Sequence, residues 1–402
     1  MLPAVDFDTC SLPESPEFHI PHPPQLLKTI LIFPFNLLSH YLRCLVLADR
    51  YDKSQYQILF LHSPQYAGFV ETHGYATFSC EQFQSGYVME CAKNFDFSWL
   101  NEGQLDKILL SQISAIKKYN AAIVIGDVAP TLNMAAEYTG VEYISLLNGY
   151  MTRYYALTRK VPHMHVSSGF LRVLPEKISD LITDFAEKMT FRKIHAPFKN
   201  LRKKYGLQPK ADYISEIEGD SNLICDLPDL FPQKKLPANY AFTGPLIYQY
   251  SDQETDWLDQ VPSEKPVIFV SMGSTGDWKK LVFLTDPYFS CYVIITAGDT
   301  QKAVSAPHII SRNFVNLTQV LQKSDLMICH GGNGTIYPGI INKVYLLCLS
   351  SHFEQEWNMN ALEKNGYGRS ADQFNTQDWK DQLSLLLSES SVLKKTVQIE
   401  NK

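Results

Sequence analysis

Three features are missing from the sequence, and each absence narrows what the chain can be. No apolar run near its start is long enough to cross a bilayer: the longest, TILIFPFNLLSHYLRCLVLA, is broken by Asn36, His40 and Arg43. No charged region with a small-residue cleavage site precedes that run, so the expected location is the cytoplasm. Positive charge is not in excess either, with 36 Lys and Arg against 42 Asp and Glu for a net charge of −6. That excludes a general attraction of the whole molecule for nucleic acid or anionic lipid and leaves only local patches. Finally, the eight cysteines (Cys10, Cys44, Cys80, Cys91, Cys225, Cys291, Cys329, Cys348) show no close pairs and no histidine spacing. Reduced core thiols are expected, rather than a disulfide framework or a zinc site. No internal repeat of solenoid period is present.

What is present is material for large cores. The 402 residues are 45% hydrophobic, with 22 Tyr and 22 Phe, which suits two domains better than one. Apolar strand-like runs alternate with helical stretches, the pattern of parallel βαβ units with helices on both faces of a sheet. KTILIFPF, YQILFLHS, AAIVIGD, VEYISLLNG and SNLICDLP form one such series, and PVIFVSMG, CYVIITAG, DLMICHGG and VYLLCLS form a second, with helices expected between them. The expected division is an irregular proline-rich arm over residues 1–24, a first domain over 25–245, a linker over 246–262 and a second domain over 263–402.

Two doubly wound domains facing each other place the carboxyl ends of two sheets on one cleft, where open α/β sheets bind ligands. The stretch HGGNGTIYPG, His330 to Gly339, stands at such an end directly after DLMIC. Glycine turns followed by a helix start, near Gly334 and Thr335, make an anion site of free N–H groups and helix dipole. His330 offers a donor or a positive charge to a phosphate oxygen, and Thr335 a hydroxyl.

The loop has companions: VSMGST at 270–275, RNFVNLTQVLQKSDLMICHGG before it, and EQEWNMNALEKNGYG at 354–368. With FKNLRKKYGLQP and NYAFTGPL earlier in the chain, the set resembles the inverting glycosyltransferases of the GT-B fold, the group of UDP-glycosyltransferases, plant metabolite transferases and bacterial macrolide sugar transferases. The resemblance spans about Lys28 to Arg369. It implies an α/β fold of GT-B architecture, with two Rossmann-like domains facing a central cleft, the first binding the acceptor and the second a nucleotide sugar. It further implies a metal-independent reaction whose co-substrate is a nucleoside diphosphosugar, probed best as a UDP- or dTDP-sugar, and whose acceptor is a small molecule.

Residue by residue, the resemblance implies that His40 is the general base and that Asp127 holds it. Neutral imidazole suits the removal of a hydroxyl proton near neutral pH, and a carboxylate on its far nitrogen fixes the tautomer. On the donor side it implies that His330, Gly332, Asn333, Gly334 and Thr335 hold the diphosphate with Ser274 facing them. Phe314 and Val315 match the position that packs on the nucleobase. Glu354 and Gln355 match the pair that binds sugar hydroxyls, with Glu in place of the usual Asp.

The chain also departs from the pattern. Pro338 stands where a ribose-binding glutamate is common, and it is expected to shift or shorten the first turn of the phosphate helix. Asn316, Leu317 and NKVY are further departures. The segment from Asn148 to Phe170, rich in Tyr, Met and His, fits an apolar or aromatic acceptor cleft and fits interdomain packing equally. Lys188 to Lys210 carries eight basic residues and no acid, which suits a solvated helix face, the more common case, or docking on anionic lipid or an acidic acceptor. Two further readings stay open: a sugar-nucleotide epimerase of the same fold, and a non-catalytic sugar-nucleotide-binding protein.

Overall fold

The computed structural model describes residues 27–163, 165, 167–250, 254–273 and 276–399, with backbone only from 388 onward. The expected N-terminal arm and Ser274 lie outside the described residues. The first half of the chain runs β1 (Lys28–Pro34), α1 (Leu38–Ala48), β2 (Tyr56–Leu61), α2 (Ala67–Thr72), β3 (Ala76–Phe78), α3 (Ser85–Lys93), α4 (Glu102–Lys118) and β4 (Ala121–Asp127). It continues with α5 (Leu132–Thr139), β5 (Glu142–Leu147), α6 (Ser168–Arg172), α7 (Glu176–Ile194), α8 (Ala196–Lys204), α9 (Tyr213–Ile217), β6 (Ser221–Ile224) and β7 (Tyr240–Phe242). The second half runs β8 (Val267–Ser271), β9 (Val293–Ala297), β10 (Ile309–Arg312), α10 (Leu317–Lys323), β11 (Leu326–Cys329) and α11 (Asn333–Ile341). It ends with β12 (Tyr345–Cys348), α12 (Phe353–Lys364), β13 (Gly368–Ser370) and α13 (Thr376–Ile399).

The strands make two parallel sheets, ordered β3-β2-β1-β4-β5-β6-β7 and β10-β9-β8-β11-β12-β13. Both are doubly wound, as the alternating pattern predicts. Because helices cover both faces, central strands carry unbroken apolar runs in place of a polar alternation. In β1, Leu31 and Phe33 enter one core while Ile30 and Ile32 enter the core on the opposite face. In β8, Val267 and Phe269 face one core and Ile268 and Val270 the other. The period of two along each strand distributes one sequence run to two cores.

Some local structure differs from the reading. The short strands β3, β7, β10 and β13, of three or four residues each, are too brief to leave a period in the sequence. Between β8 and β9 the chain forms two 3-10 segments, Trp278–Thr285 and Pro287–Cys291, in place of an α-helix. Asp277 and Asp286 each accept a backbone N–H two residues on, and Pro287 cannot continue a helix begun before it. Seven of the eight cysteines lie among the described residues, and these are free thiols, Cys291 exposed and Cys80 half-buried, the rest buried. No helix among the described residues is long and apolar enough to cross a membrane.

The halves are joined by packing. Tyr150, Leu230 and Phe231, from the first half, belong to the same buried cluster as Ile336, Tyr337 and Trp357 from the second. The Tyr150 ring stands 5.4 Å from Phe231 and 5.3 Å from Trp357.

Candidate active site

In each sheet the winding reverses beside the first strand, between β1 and β4 and between β8 and β11, and the crevices at these switch points hold the polar residues singled out above. Pro34 at the end of β1 is in register with Asp127 at the end of β4. His40 follows in the first turn of α1, and its Nδ1 lies 2.9 Å from Asp127 Oδ1. With Nδ1 so engaged, Nε2 is the ring nitrogen left for another partner. The expected pairing of His40 with Asp127 is thus formed.

The sequence reading missed what else holds that carboxylate. Arg43, one turn along α1 on the same face as His40, donates from Nε and Nη2 to the two oxygens of Asp127, and from Nη1 to Asn148 Oδ1 at 2.7 Å. Burial pushes the Asp127 carboxyl up, but the Arg43 cation and then His40 outweigh it and bring it down to about 2. Asp127 is therefore an anion throughout the neutral range, fully buried. Val128, the next residue, sits at φ +53°, a left-handed conformation that a β-branched side chain strongly disfavours. Strain of this kind persists only where the surroundings over-determine the backbone, and here the Asp127 carbonyl is held by the Phe35 N–H at 2.9 Å. The sequence signal for Arg43 was its charge inside an apolar helix, three residues from His40.

Across the cleft, Gly331 turns the chain at φ +83° and Gly332 caps α11. The N–H groups of Asn333 and Gly334 precede the first intrahelical bond, which the Thr335 N–H makes to the Gly332 carbonyl, and so have no acceptor within the helix. The His330 ring fills the space beside Gly273 and Gly332, where a Cβ on either residue would overlap it. Its Nδ1 is buried with no hydrogen-bond partner. Burial lowers its pKa to about 4, so at neutral pH the ring is uncharged. Without a ligand, His330 therefore presents a neutral donor or acceptor rather than the positive charge expected as one option for this residue. Thr335 spends its hydroxyl proton on the Gly332 carbonyl at 2.8 Å.

Pro338 also acts differently from expectation. The first turn of α11 is intact, with Thr335 and Ile336 N–H bonded to the Gly332 carbonyl at 2.9 and 3.0 Å, and the helix runs through Pro338 to Ile341. The proline lies beyond the turn that would meet a phosphate, and its cost is one missing donor toward the preceding turn.

The side chain of Asn333, a residue expected at the diphosphate, ties the two halves together, while its backbone N–H remains at the start of α11. Its Nδ2 donates to Asp226 Oδ1 at 3.0 Å and Asn148 Oδ1 at 3.3 Å, while its Oδ1 accepts from Asn358 at 2.7 Å. Asp226, missed in the sequence, is fully buried and accepts also from the Gly149 N–H at 2.5 Å and from the Tyr337 hydroxyl. Burial pushes its carboxyl up. Much of the Asn148 to Phe170 question resolves on the packing side: Tyr150 is buried, Trp357 Nε1 donates to the Lys160 carbonyl at 2.8 Å, and the His163 N–H donates to Glu356 at 2.7 Å.

Glu354 lies in the first turn of α12 and is half-buried, hydrogen-bonded to Tyr150, whose hydroxyl also receives Asn148 Nδ2 at 2.6 Å. Burial pushes the Glu354 carboxyl up, against the opposing pull of His40 and Arg43. A polar chain Asp127–Arg43–Asn148–Tyr150–Glu354 thus brings the expected base and the expected sugar-binding carboxyl to the same part of the cleft. Gln355 is turned inward, 2% exposed, its Oε1 accepting the Ser351 N–H at 2.7 Å. His352, two residues before Glu354, was also missed; its Nδ1 is buried without a partner and burial, then the neighbouring His330, lowers its pKa to about 3. Val315 is core, whereas Phe314 is half exposed, with the Tyr250 ring 4.9 Å away at 30° and Phe69 at 6.0 Å.

No family model matches the chain. Among curated proteins it is 23% identical over 347 residues, 82% of this chain and 74% of the relative, to a PGL/p-HBAD biosynthesis rhamnosyltransferase of Mycobacterium bovis BCG. It is 26% identical over 243 residues, 60% of this chain and 64% of the relative, to an inactive PGL/p-HBAD biosynthesis glycosyltransferase of the same organism. Among solved structures, the spinosyn rhamnosyltransferase SpnG aligns with a TM-score of 0.65 at 14% identity, covering 93% of this chain and 95% of that one. The chain has the GT-B fold and is a divergent relative of the glycosyltransferases that share it.

Proposed function

We propose that the chain moves a sugar, with inversion, from a dTDP- or UDP-linked donor to a hydroxyl of a small apolar or aromatic acceptor. His40 Nε2 takes the acceptor proton as the oxygen forms its bond to the anomeric carbon, and the bond from that carbon to the diphosphate breaks on the opposite face. Asp127 keeps the proton of His40 on Nδ1 and stabilises the imidazolium that forms. The α11 amides and helix dipole receive the charge growing on the leaving diphosphate without a metal ion, and neutral His330 adds a hydrogen bond. Glu354 accepts hydrogen bonds from the sugar. The observation that carries the reading is the 2.9 Å contact between His40 and Asp127 beside Glu354. A similar solved structure is that of the spinosyn rhamnosyltransferase SpnG complexed with thymidine diphosphate, which favours dTDP as the first nucleotide to try.

The donor half is tested by thermal stabilisation with dTDP, UDP, GDP and ADP, with and without magnesium. Saturation at a hundredfold excess over Kd is worth roughly 2.7 kcal/mol. A metal-independent shift with dTDP or UDP, lost in His330→Ala, is expected; a shift that needs magnesium, or none at all, counts against it.

A second reading, a donor-binding protein without turnover, is favoured by one observation: the Arg43 fork neutralises the carboxylate that His40 needs. It predicts nucleotide binding with no acceptor-dependent product.

A further inference from the structure

Seven of the eighteen exposed large apolar side chains among the described residues fall between Phe170 and Met189. On α7, Ile178, Leu181, Ile182, Phe185 and Met189 recur at helical spacing and form one stripe, 40 to 72% exposed, about 17 Å long at 1.5 Å per residue. Phe170 and Val173, 63 and 79% exposed, extend the apolar surface toward α6. A surface of this size on one helical hairpin marks an interaction site, where scattered single residues would not.

The charges around the stripe indicate what covers it. On a helical wheel Lys177 and Lys188 flank one side, Lys193 the other, and Arg192 stands at the C-terminal end; all four are exposed. The acids of α7 sit mostly on the inward face, Asp180 paired with Lys160 at 2.5 Å and Glu187 with Arg159 at 2.7 Å. Asp184 lies on the shoulder below Lys188. An apolar stripe with a basic border and acids turned inward is the arrangement of a helix that lies in the headgroup region of an anionic bilayer. A second copy of the chain fits less well, because a symmetric contact through the stripe would bring two basic borders together.

We propose that the α6–α7 hairpin docks this protein on an anionic membrane surface, its apolar stripe entering the headgroup boundary and Lys177, Lys188, Arg192 and Lys193 meeting lipid phosphates. The basic run from Lys188 to Lys210 contributes only its start. Arg202 is buried against Glu216 and Glu137, and Lys204 pairs with Asp106 at 2.7 Å. The net charge of −6 makes docking depend on this face alone.

The test is flotation of the full chain with vesicles of phosphatidylcholine alone and of phosphatidylcholine with 30% phosphatidylglycerol, at low and high salt. Two double variants are compared, Leu181→Asp with Phe185→Asp, and Lys188→Glu with Arg192→Glu; all four positions are exposed, and melting curves check folding. Binding to the anionic vesicles is expected, weakened by salt and by roughly fivefold for each basic charge removed, and at least tenfold weaker in the apolar variant. Failure to float with anionic vesicles, equal binding to neutral ones, or partition unchanged in either variant would overturn the proposal. So would a dimer in light scattering that the apolar variant dissociates, which would assign the face to a second copy.

Discussion

Arg43 and Asp127 meet fork to fork beneath the cleft, the guanidinium Nε and Nη2 each donating to one carboxylate oxygen while Oδ1 also holds His40 at 2.9 Å. One buried anion thus serves a cation and a histidine at once. Arg43→Ala leaves that carboxylate desolvated with only His40 beside it and no permanent counter-charge, and a loss of about 3–5 kcal/mol is expected in urea denaturation. Combining it with Asp127→Asn removes the stranded charge, so the double variant should be less destabilised than the sum of the two single ones. Additive losses would mean that the fork contributes little.

Tyr337 and Asp226 make the corresponding bond between the halves. Tyr337→Phe keeps the ring packing and removes one donor from a buried carboxyl that retains Gly149 and Asn333, so a cost of about 1–3 kcal/mol is expected. A double-mutant cycle with Asp226→Asn should return a coupling of roughly 0.5–3 kcal/mol by thermal or chemical denaturation.

Stability should fall with acid earlier than carboxylates alone would cause. His330 and His352 have folded-state pKa values near 4 and 3, below the 6.5 of a free imidazole. Their contribution is therefore complete above pH 6.5 and is lost as the unfolded chain takes up protons that the folded chain refuses. Each histidine adds a slope of up to about 1.4 kcal/mol per pH unit between pH 6.5 and its folded value. Denaturation midpoints from pH 7 to pH 4.5 should show this, and His330→Gln should flatten it by about one proton.

Pro338→Ala restores an N–H inside α11, downstream of the turn that faces the cleft. Proline in a helix interior is about 3 kcal/mol worse than alanine in model helices. In a helix already shaped around it, a gain of about 1–2 kcal/mol is expected, with nucleotide affinity unchanged. A large change in affinity would place Pro338 in the donor site after all.

The sequence made the doubly wound sheets legible because buried parallel strands write themselves as continuous apolar runs such as ILIFP and VIFVS. The pairing of His40 with Asp127 was legible only through the family resemblance, which places both residues just after strand ends of the first sheet. Arg43 and Asp226 were not, because each finds its partners through contacts 77 to 111 residues apart that no local period encodes. The side-chain contacts of Asn333 were not legible for a related reason: a glycine-rich loop at a helix start predicts where backbone amides point, but says nothing of a side chain that reaches the other half of the chain. The ionisation of His330 followed from burial between Gly273 and Gly332, which only the folded chain brings together. The stripe on α7 was written in the sequence at helical spacing, yet exposure alone distinguishes it from a core face.

The most direct test of sugar transfer by His40 is acceptor-dependent release of nucleoside diphosphate from a panel of dTDP- and UDP-sugars with phenolic acceptors. Wild type and His40→Ala are compared, with nucleotide binding followed in the same samples. The expected result is equal binding and a rate roughly a hundredfold to ten-thousandfold lower in the variant. Turnover that survives His40→Ala would remove His40 as the base, and binding without turnover in both proteins would leave the non-catalytic reading standing in its place.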